Sequence, residues 1–195
     1  MRINLARVIP HSAANGPGER FVVWVQGCPL GCPGCWNPDT WSFAPRRVLE
    51  VEDLVGQILE TRDIEGVTFT GGEPFAQARA LARVGRAARE AGLSVFVFTG
   101  FELDELTRPR DRELLEVTDV VVAGRYIEQQ RALGLPWRGS SNQRVHFLTG
   151  RYSKAELGEV TMAEVWLEGD GKVTLCGFPD GELVRDLGGW SKGTR

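Results

Sequence analysis

Cys28, Cys32 and Cys35 are the residues of this sequence whose type and spacing are best suited to chemistry. They are spaced C-x3-C-x2-C, and Gly27, Pro29, Gly31, Pro33 and Gly34 fill the gaps. Glycine and proline at that density make a loop that wraps something, not a helix or strand. Thiolates gathered on a compact loop suit a metal ion or a cluster. Four thiolates would satisfy zinc or a cubane iron–sulfur cluster, and this loop supplies three. A [4Fe–4S] cluster on three cysteines leaves one iron open to an outside ligand, the arrangement that distinguishes a reactive metal centre from a structural one. Zinc is the alternative, with Cys176, His11 or His146 as fourth ligand. A redox switch would not need three thiols, and although four cysteines could make two disulfides, three within eight residues suit ligation and leave Cys176 alone.

A second constellation is Gly71-Gly72-Glu73-Pro74, following the apolar run Val67-Thr68-Phe69-Thr70. Successive glycines let backbone approach a ligand closely, and Glu73 adds a carboxylate that suits a cation. The same tetrapeptide also reads as an ordinary strand-to-helix turn. Thr99-Gly100 closes a third apolar run. Residues 137–144, Trp-Arg-Gly-Ser-Ser-Asn-Gln-Arg, are rich in donors. They read as a cofactor or partner-peptide contact, or for most of the residues as a hydrogen-bonded surface loop. The arginines from Arg108 to Arg151 are interspersed with acids and read as a solvated face, so nucleic acid is not expected as a partner. Cys176 reads as a buried, inert thiol.

The elements that must position these residues alternate. Phe21 to Val25 predicts a buried strand ending at the cysteine loop. Val51, Leu54, Val55, Ile58 and Leu59 have helical spacing, with acids in the first turn. Val67 to Thr70, Ser94 to Thr99 and Asp119 to Ala123 predict further strands, separated by helices around Leu81–Ala88 and Arg110–Glu116. Continuous apolar strands alternating with helices predict an α/β fold with a parallel sheet. Every candidate site then follows the C-terminal end of a strand, where such folds place their chemistry. Residues 1–19 read either as an opening strand or lid, or as an irregular, flexible leader. Arg144–Thr149 predicts a short strand and Lys154–Gly158 a helical turn. Ala163–Glu168 and Lys172–Leu175, around Gly169-Asp170-Gly171, predict a β-hairpin covering one end of the sheet.

The chain has 195 residues, 42% hydrophobic and 25% charged, with net charge −3. That suits one domain over 1–195, burying roughly 70% of its unfolded surface. No apolar run approaches the ~20 residues of a membrane span, and no signal-peptide core precedes the first strand. The cytoplasm is the expected compartment, with no membrane partner.

Residues 15–41, NGPGERFVVWVQGCPLGCPGCWNPDTW, resemble the radical S-adenosylmethionine superfamily, whose cluster motif is C-x3-C-x2-C. The GPG-x-R before the first buried strand and the aromatic-Asn-x-x-Thr-Trp after Cys35 narrow the resemblance to the activases of glycyl radical enzymes. It is closest in pattern to the small anaerobic ribonucleotide reductase activating proteins. TGGEP at 70–74, Thr99-Gly100-Phe101, GRYIEQQ at 124–130 and WRGSSNQR at 137–144 continue it. The resemblance implies an incomplete, TIM-like βα barrel of six or so parallel strands plus the C-terminal hairpin. It implies a cluster loop over 27–36, with Cys28, Cys32 and Cys35 as cluster ligands and catalytic centre. S-adenosyl-L-methionine would be held by Trp36, Asn37, Gly71, Gly72, Glu73, Pro74 and Thr99, with Glu73 and the glycine turn facing the methionine amino group. An electron from a flavodoxin or ferredoxin would cleave the sulfonium, which requires the low end of iron–sulfur potentials, about −700 mV. The resulting 5′-deoxyadenosyl radical would take hydrogen from a glycine of a glycyl radical protein, the large reductase subunit. Other readings are a radical enzyme acting on a different peptide or small molecule, and a non-catalytic zinc or electron-transfer module. One departure stands out: relatives tend to end the fourth buried strand with Asp-Gly, and here the pair is Ala123-Gly124.

Overall fold

A computed structural model describes residues 1–132, 134–154, 161–167 and 173–178. Strands β1 (Arg2–Ile9), β2 (Arg20–Val25) and β3 (Arg47–Glu50) precede helix α1 (Val51–Glu60). Strand β4 (Gly66–Gly71), helix α2 (Ala78–Glu90), strand β5 (Ser94–Phe98), helix α3 (Pro109–Leu115) and strand β6 (Val120–Ala123) continue the alternation. Strand β7 (Arg144–Phe147) and the pair β8 (Ala163–Leu167) and β9 (Val173–Gly177) follow.

The main sheet has seven strands in the order β3-β1-β2-β4-β5-β6-β7. The middle four, β2-β4-β5-β6, run parallel, as their apolar runs require. The expected six parallel strands are not what forms, because β1, β3 and β7 flank that core antiparallel. Residues 2–9 are strand, not an irregular leader: Ile3 and Leu5 alternate into the core while Asn4 faces the chain that follows the cysteine loop. Strand β3 was not legible, since three of its four residues are exposed and it exists only by pairing with β1. The hairpin forms where its turn signal placed it. The helical turn expected at 154–158 and the hairpin's tip lie outside the described residues.

Both faces of the parallel core are buried, which explains its unbroken apolar runs. One face, with Phe21, Val23, Phe69, Val97 and Val121, packs under the three helices. In α1, Val51, Leu54 and Ile58 supply that contact, whereas Leu59 is 50% exposed and does not belong to the stripe. The opposite face carries Val22, Trp24, Phe96, Val120 and Val122, and no helix of the described residues packs on it. Trp137 packs edge-on to Phe96, with centroids 5.2 Å apart, and Cys176 of β9 packs with Val22 and Trp24. No described helix is long and apolar enough to cross a membrane.

Arg20 closes the base of the parallel strands. Its guanidinium donates to Thr68 Oγ1 (2.7 Å), the carbonyls of Val67 (2.7 Å), Pro17 (2.9 Å) and Ser94 (3.2 Å), and Ser94 Oγ (3.0 Å). The arginine of the GPG-x-R motif therefore ties three strands and the preceding turn together, at the end away from the cysteines.

Candidate functional site

The cysteine loop starts where β2 ends, and backbone bonds hold its first turn. Gly27 N donates to Thr40 O (2.8 Å) and Cys28 N to Trp41 O (3.0 Å), so residues 38–41 fold back against the loop's entrance. Cys35 N donates to Cys32 O at 3.1 Å, closing the turn between the last two cysteines. Gln26 Nε2 and Asn4 Nδ2 donate to the carbonyls of Ser42 (2.6 Å) and Ala44 (3.0 Å), fastening the returning chain to β1 and β2. Gln77 reaches across from the end of β4, its amide donating to Asn4 O (2.7 Å) and Gln26 O (3.0 Å).

All three loop cysteines are free thiols and half-buried. Burial pushes the Cys28 and Cys32 thiols up, against backbone N–H groups that favour each thiolate. For Cys28 these donors are Leu30 and Gly31; for Cys32 they include Tyr126. Asn37 N donates to Cys35 Sγ at 3.4 Å. Asn37 thus acts through its backbone, its carbonyl also accepting from Thr40 N (3.0 Å) and Thr40 Oγ1 (2.7 Å). Trp36 stacks one ring face under the Arg131 guanidinium, 4.7 Å from the centroid, and its buried Nε1 has no hydrogen-bond partner among the described residues.

The turn after β4 meets the cysteine loop directly. Gly72 N donates to Val25 O (2.9 Å) and Glu73 N to Gly27 O (2.8 Å). A Cβ on Gly72 would strike the Gly27 carbonyl oxygen, and one on Gly71 (φ +100°) would stand 2.7 Å from Trp24 Cα. The close backbone approach expected of these glycines is therefore made to β2 and the cysteine loop themselves. Pro74 opens a short 3-10 turn, Pro74–Gln77, a position where its missing N–H is no loss. Glu73 is buried and caps that turn, Oε1 accepting from Phe75 N (2.9 Å). The same oxygen accepts from Thr99 Oγ1 (2.9 Å), and Oε2 from Gly100 N (2.9 Å). One carboxyl group thus straps the end of β4 to the end of β5. Desolvation pushes it up to about 7, outweighing the three donors.

The structure therefore brings Cys28, Cys32, Cys35, Trp36, Asn37, Gly71, Gly72, Glu73, Pro74 and Thr99 to one end of the parallel strands. Cys176 and His11 go elsewhere: Cys176 accepts from Asn15 Nδ2 (2.7 Å) on the face that carries Val22 and Trp24, and His11 pairs with Glu19 at 3.7 Å. Among the described residues no group of three or more His, Cys, Asp or Glu is gathered around a single ion. Three thiols on one loop fit the three protein ligands of a cubane that keeps one iron open.

Trp137 is 2% exposed at φ +55°, and Gly139 and Ser140 are also buried, so the donor-rich loop is not a surface feature throughout. Tyr126, Glu128 and Arg131 stand against the cysteine loop, and in the sequence only the GRYIEQQ stretch marks them. Ala123 is fully buried, and the carboxyl nearest to Gly124 is Glu102, 3.0 Å from where a Cβ would be.

The chain matches the family described as the 4Fe-4S single cluster domain over residues 14–146. It is 33% identical to the anaerobic ribonucleoside-triphosphate reductase-activating protein of Haemophilus influenzae, over 74% of this chain and 97% of that protein. The protein of the same name from Escherichia coli K12 is 33% identical, covering 75% of this chain and 99% of its own length. That of Enterobacteria phage T4 is 31% identical over 73% and 93%. A three-cysteine loop and a shared sequence that spans nearly the whole of these relatives place the chain in the family of anaerobic ribonucleoside-triphosphate reductase-activating proteins, within the radical S-adenosylmethionine activases.

Proposed function

We propose that this chain activates an anaerobic ribonucleoside-triphosphate reductase by removing a hydrogen atom from a glycine of the large reductase subunit. Cys28, Cys32 and Cys35 would hold the [4Fe–4S] cluster, and Trp36, Asn37, Gly71, Gly72, Glu73, Pro74 and Thr99 would line the S-adenosyl-L-methionine site. The observation that carries the reading is the seam between the cysteine loop and the turn after β4, where Gly72 has no side chain and Glu73 N donates to Gly27 O. Cluster ligands and cofactor turn are thereby built as one piece, as a reaction between two bound groups needs. When bound and given one electron from a flavodoxin or ferredoxin, these groups would supply reductive carbon–sulfur cleavage, to methionine and a 5′-deoxyadenosyl radical. Glu73 would present negative charge near the methionine ammonium, and that cation would in turn favour ionisation of a carboxyl poised at about 7. Trp36 under Arg131 would limit water at the loop's edge. The four parallel central strands are taken as part of an incomplete TIM-like barrel, in a single domain over 1–195 with the cytoplasm as its compartment.

The test uses anaerobically purified full-length protein, reduced and mixed with S-adenosyl-L-methionine and the large reductase subunit. The expected result is about four iron per chain and the doublet of a glycyl radical in electron paramagnetic resonance, with 5′-deoxyadenosine formed in step. Formation of 5′-deoxyadenosine only with another peptide or a metabolite would overturn the activase assignment and turn attention to Ala123.

A further inference from the structure

The C-terminal hairpin stands outside the part of the chain that the relatives share. The family match ends at residue 146, ahead of β8. Of this chain, 74% and 75% suffice to cover 97% and 99% of the Haemophilus and Escherichia coli K12 proteins. The cysteine loop and the turn after β4 lie wholly within the shared part. An element added to a common site can change what reaches the site while leaving its chemistry alone.

The face that the hairpin covers leads to the site. Side chains alternate along a strand, so Trp24, Thr70, Phe98 and Val122, which lie in register, form the last row of the face opposite the helices. Thr70 directly precedes the glycine turn, and Phe98 directly precedes Thr99. Trp24 and Val122 are buried, while Thr70 and Phe98 are half-buried. Cys176 of β9 packs with Trp24, and the Phe178 ring lies 5.9 Å from that of Phe98, tilted by 49°. Backbone holds Phe178 there, its N–H donating to Met162 O at 2.6 Å. Gly177, left-handed at φ +87°, passes so near β1's following chain that a Cβ would stand 2.8 Å from Ala14 Cβ. Phe178 is itself half-buried, which leaves part of its ring open beside the last position of β5.

With α1, α2 and α3 over one face, a hydrogen donor carried by a protein partner comes to the strand ends past the other. Hydrogen transfer needs the donor in contact with the acceptor, at roughly 3–3.5 Å, so the walls on that side select the donor. We propose that the hairpin forms the substrate-side wall of the site, and that Phe178 is a specificity-determining residue against which the glycine-bearing segment of the large reductase subunit is laid. The inference rests on the activase reading above and adds to it the surface that receives the partner.

The experiment places a benzophenone photo-crosslinker at Phe178 of the full-length, anaerobically purified protein, and in a second sample at Leu59, which is 50% exposed on α1. Irradiated with the large reductase subunit, the first is expected to capture the peptide that bears the radical glycine, and the second is not. Phe178→Ala is expected to hold the same iron as the parent and to raise the subunit concentration for half-maximal glycyl radical by about fivefold. It is also expected to form more 5′-deoxyadenosine per glycyl radical. A variant that was only destabilised would lower both products together and leave their ratio unchanged. Phe178→Leu, which keeps an apolar side chain, is expected to lie between the two. Equal half-saturation and an equal product ratio in Phe178→Ala at equal iron content would overturn the wall, as would capture of that peptide from Leu59 as readily as from Phe178. A parent protein that forms 5′-deoxyadenosine only with another peptide or a metabolite would overturn the activase reading itself, so the two failures are distinct.

Discussion

Glu73 is where the site's geometry and its electrostatics pull apart. Three donors surround the carboxyl group, as suits an anion, yet burial raises it from an ordinary 4.5 to about 7. A carboxyl group with a raised pKa holds its proton in the fold at a pH where the unfolded chain has lost it. Its contribution to stability is therefore greatest below about pH 4.5, declines as pH rises to about 7, and then levels off. At about 1.4 kcal/mol per unit the decline is on the order of 3 kcal/mol. Urea unfolding of cluster-free protein is expected to show this slope, and Glu73→Gln to lose it. The variant is expected to be less stable at low pH, because its amide sets a donor against the Gly100 or Phe75 N–H. An equal slope in both proteins would remove Glu73 as its source.

Arg20 does its work among the elements. It begins β2, and its five N–H groups reach β4, β5 and the turn at Pro17, with no described carboxylate within ion-pairing distance. Desolvation pushes the guanidinium down, and Tyr152, Glu65 and Asp119 offset this from nearby. Tyr152 bonds Glu65 and also donates to Ser94 Oγ (2.8 Å), so a residue beyond β7 completes the same base. Arg20→Met keeps most of the stem's packing but leaves buried acceptors without donors, each costing about 1–3 kcal/mol. A loss of at least ~2 kcal/mol is expected from the urea midpoint. Arg20→Lys is expected to recover only part of it, since an ammonium cannot reproduce the planar fork. Full stability in Arg20→Met would show the network to be dispensable.

At the scale of the whole molecule the described helices all lie on one face of the sheet, and the C-terminal hairpin takes up part of the other. Glu164 of β8 accepts from Ser12 Oγ and from Ala13 N (2.9 Å), while Asn15 holds Cys176. The Phe178 ring reaches Phe98, with centroids 5.9 Å apart. The family match ends at residue 146, ahead of this hairpin. A thiol reagent applied to cluster-free protein is expected to modify Cys28, Cys32 and Cys35 first and the buried Cys176 last. Glu164→Ala loosens the attachment and is expected to speed Cys176 about tenfold, the change that about 1.4 kcal/mol of lost local stability gives. Peptide mapping of the labelled thiols reads the order, and uniform reactivity in the parent would refute the attachment.

The sequence by itself determined the parallel core, the helices that cover it and the placing of three thiols at a strand's end. Each of those rests on patterns local to the chain: Phe21 to Val25 and Val67 to Thr70 are apolar runs, and C-x3-C-x2-C with its glycines is a loop whatever surrounds it. The tertiary structure alone decided that residues 2–9 and 47–50 are strands, since the second pairs only through the first. It alone decided that Gly72 is small for the sake of Gly27, that Glu73 bonds Thr99 and Gly100, and that Arg131 covers Trp36. Trp137 likewise gave no sign from its polar neighbours that it would be buried against Phe96. These are contacts between residues far apart in the chain. Spacing along a sequence records which groups share a turn or a face, but the distance between two strand ends is set only when the sheet closes and its core packs.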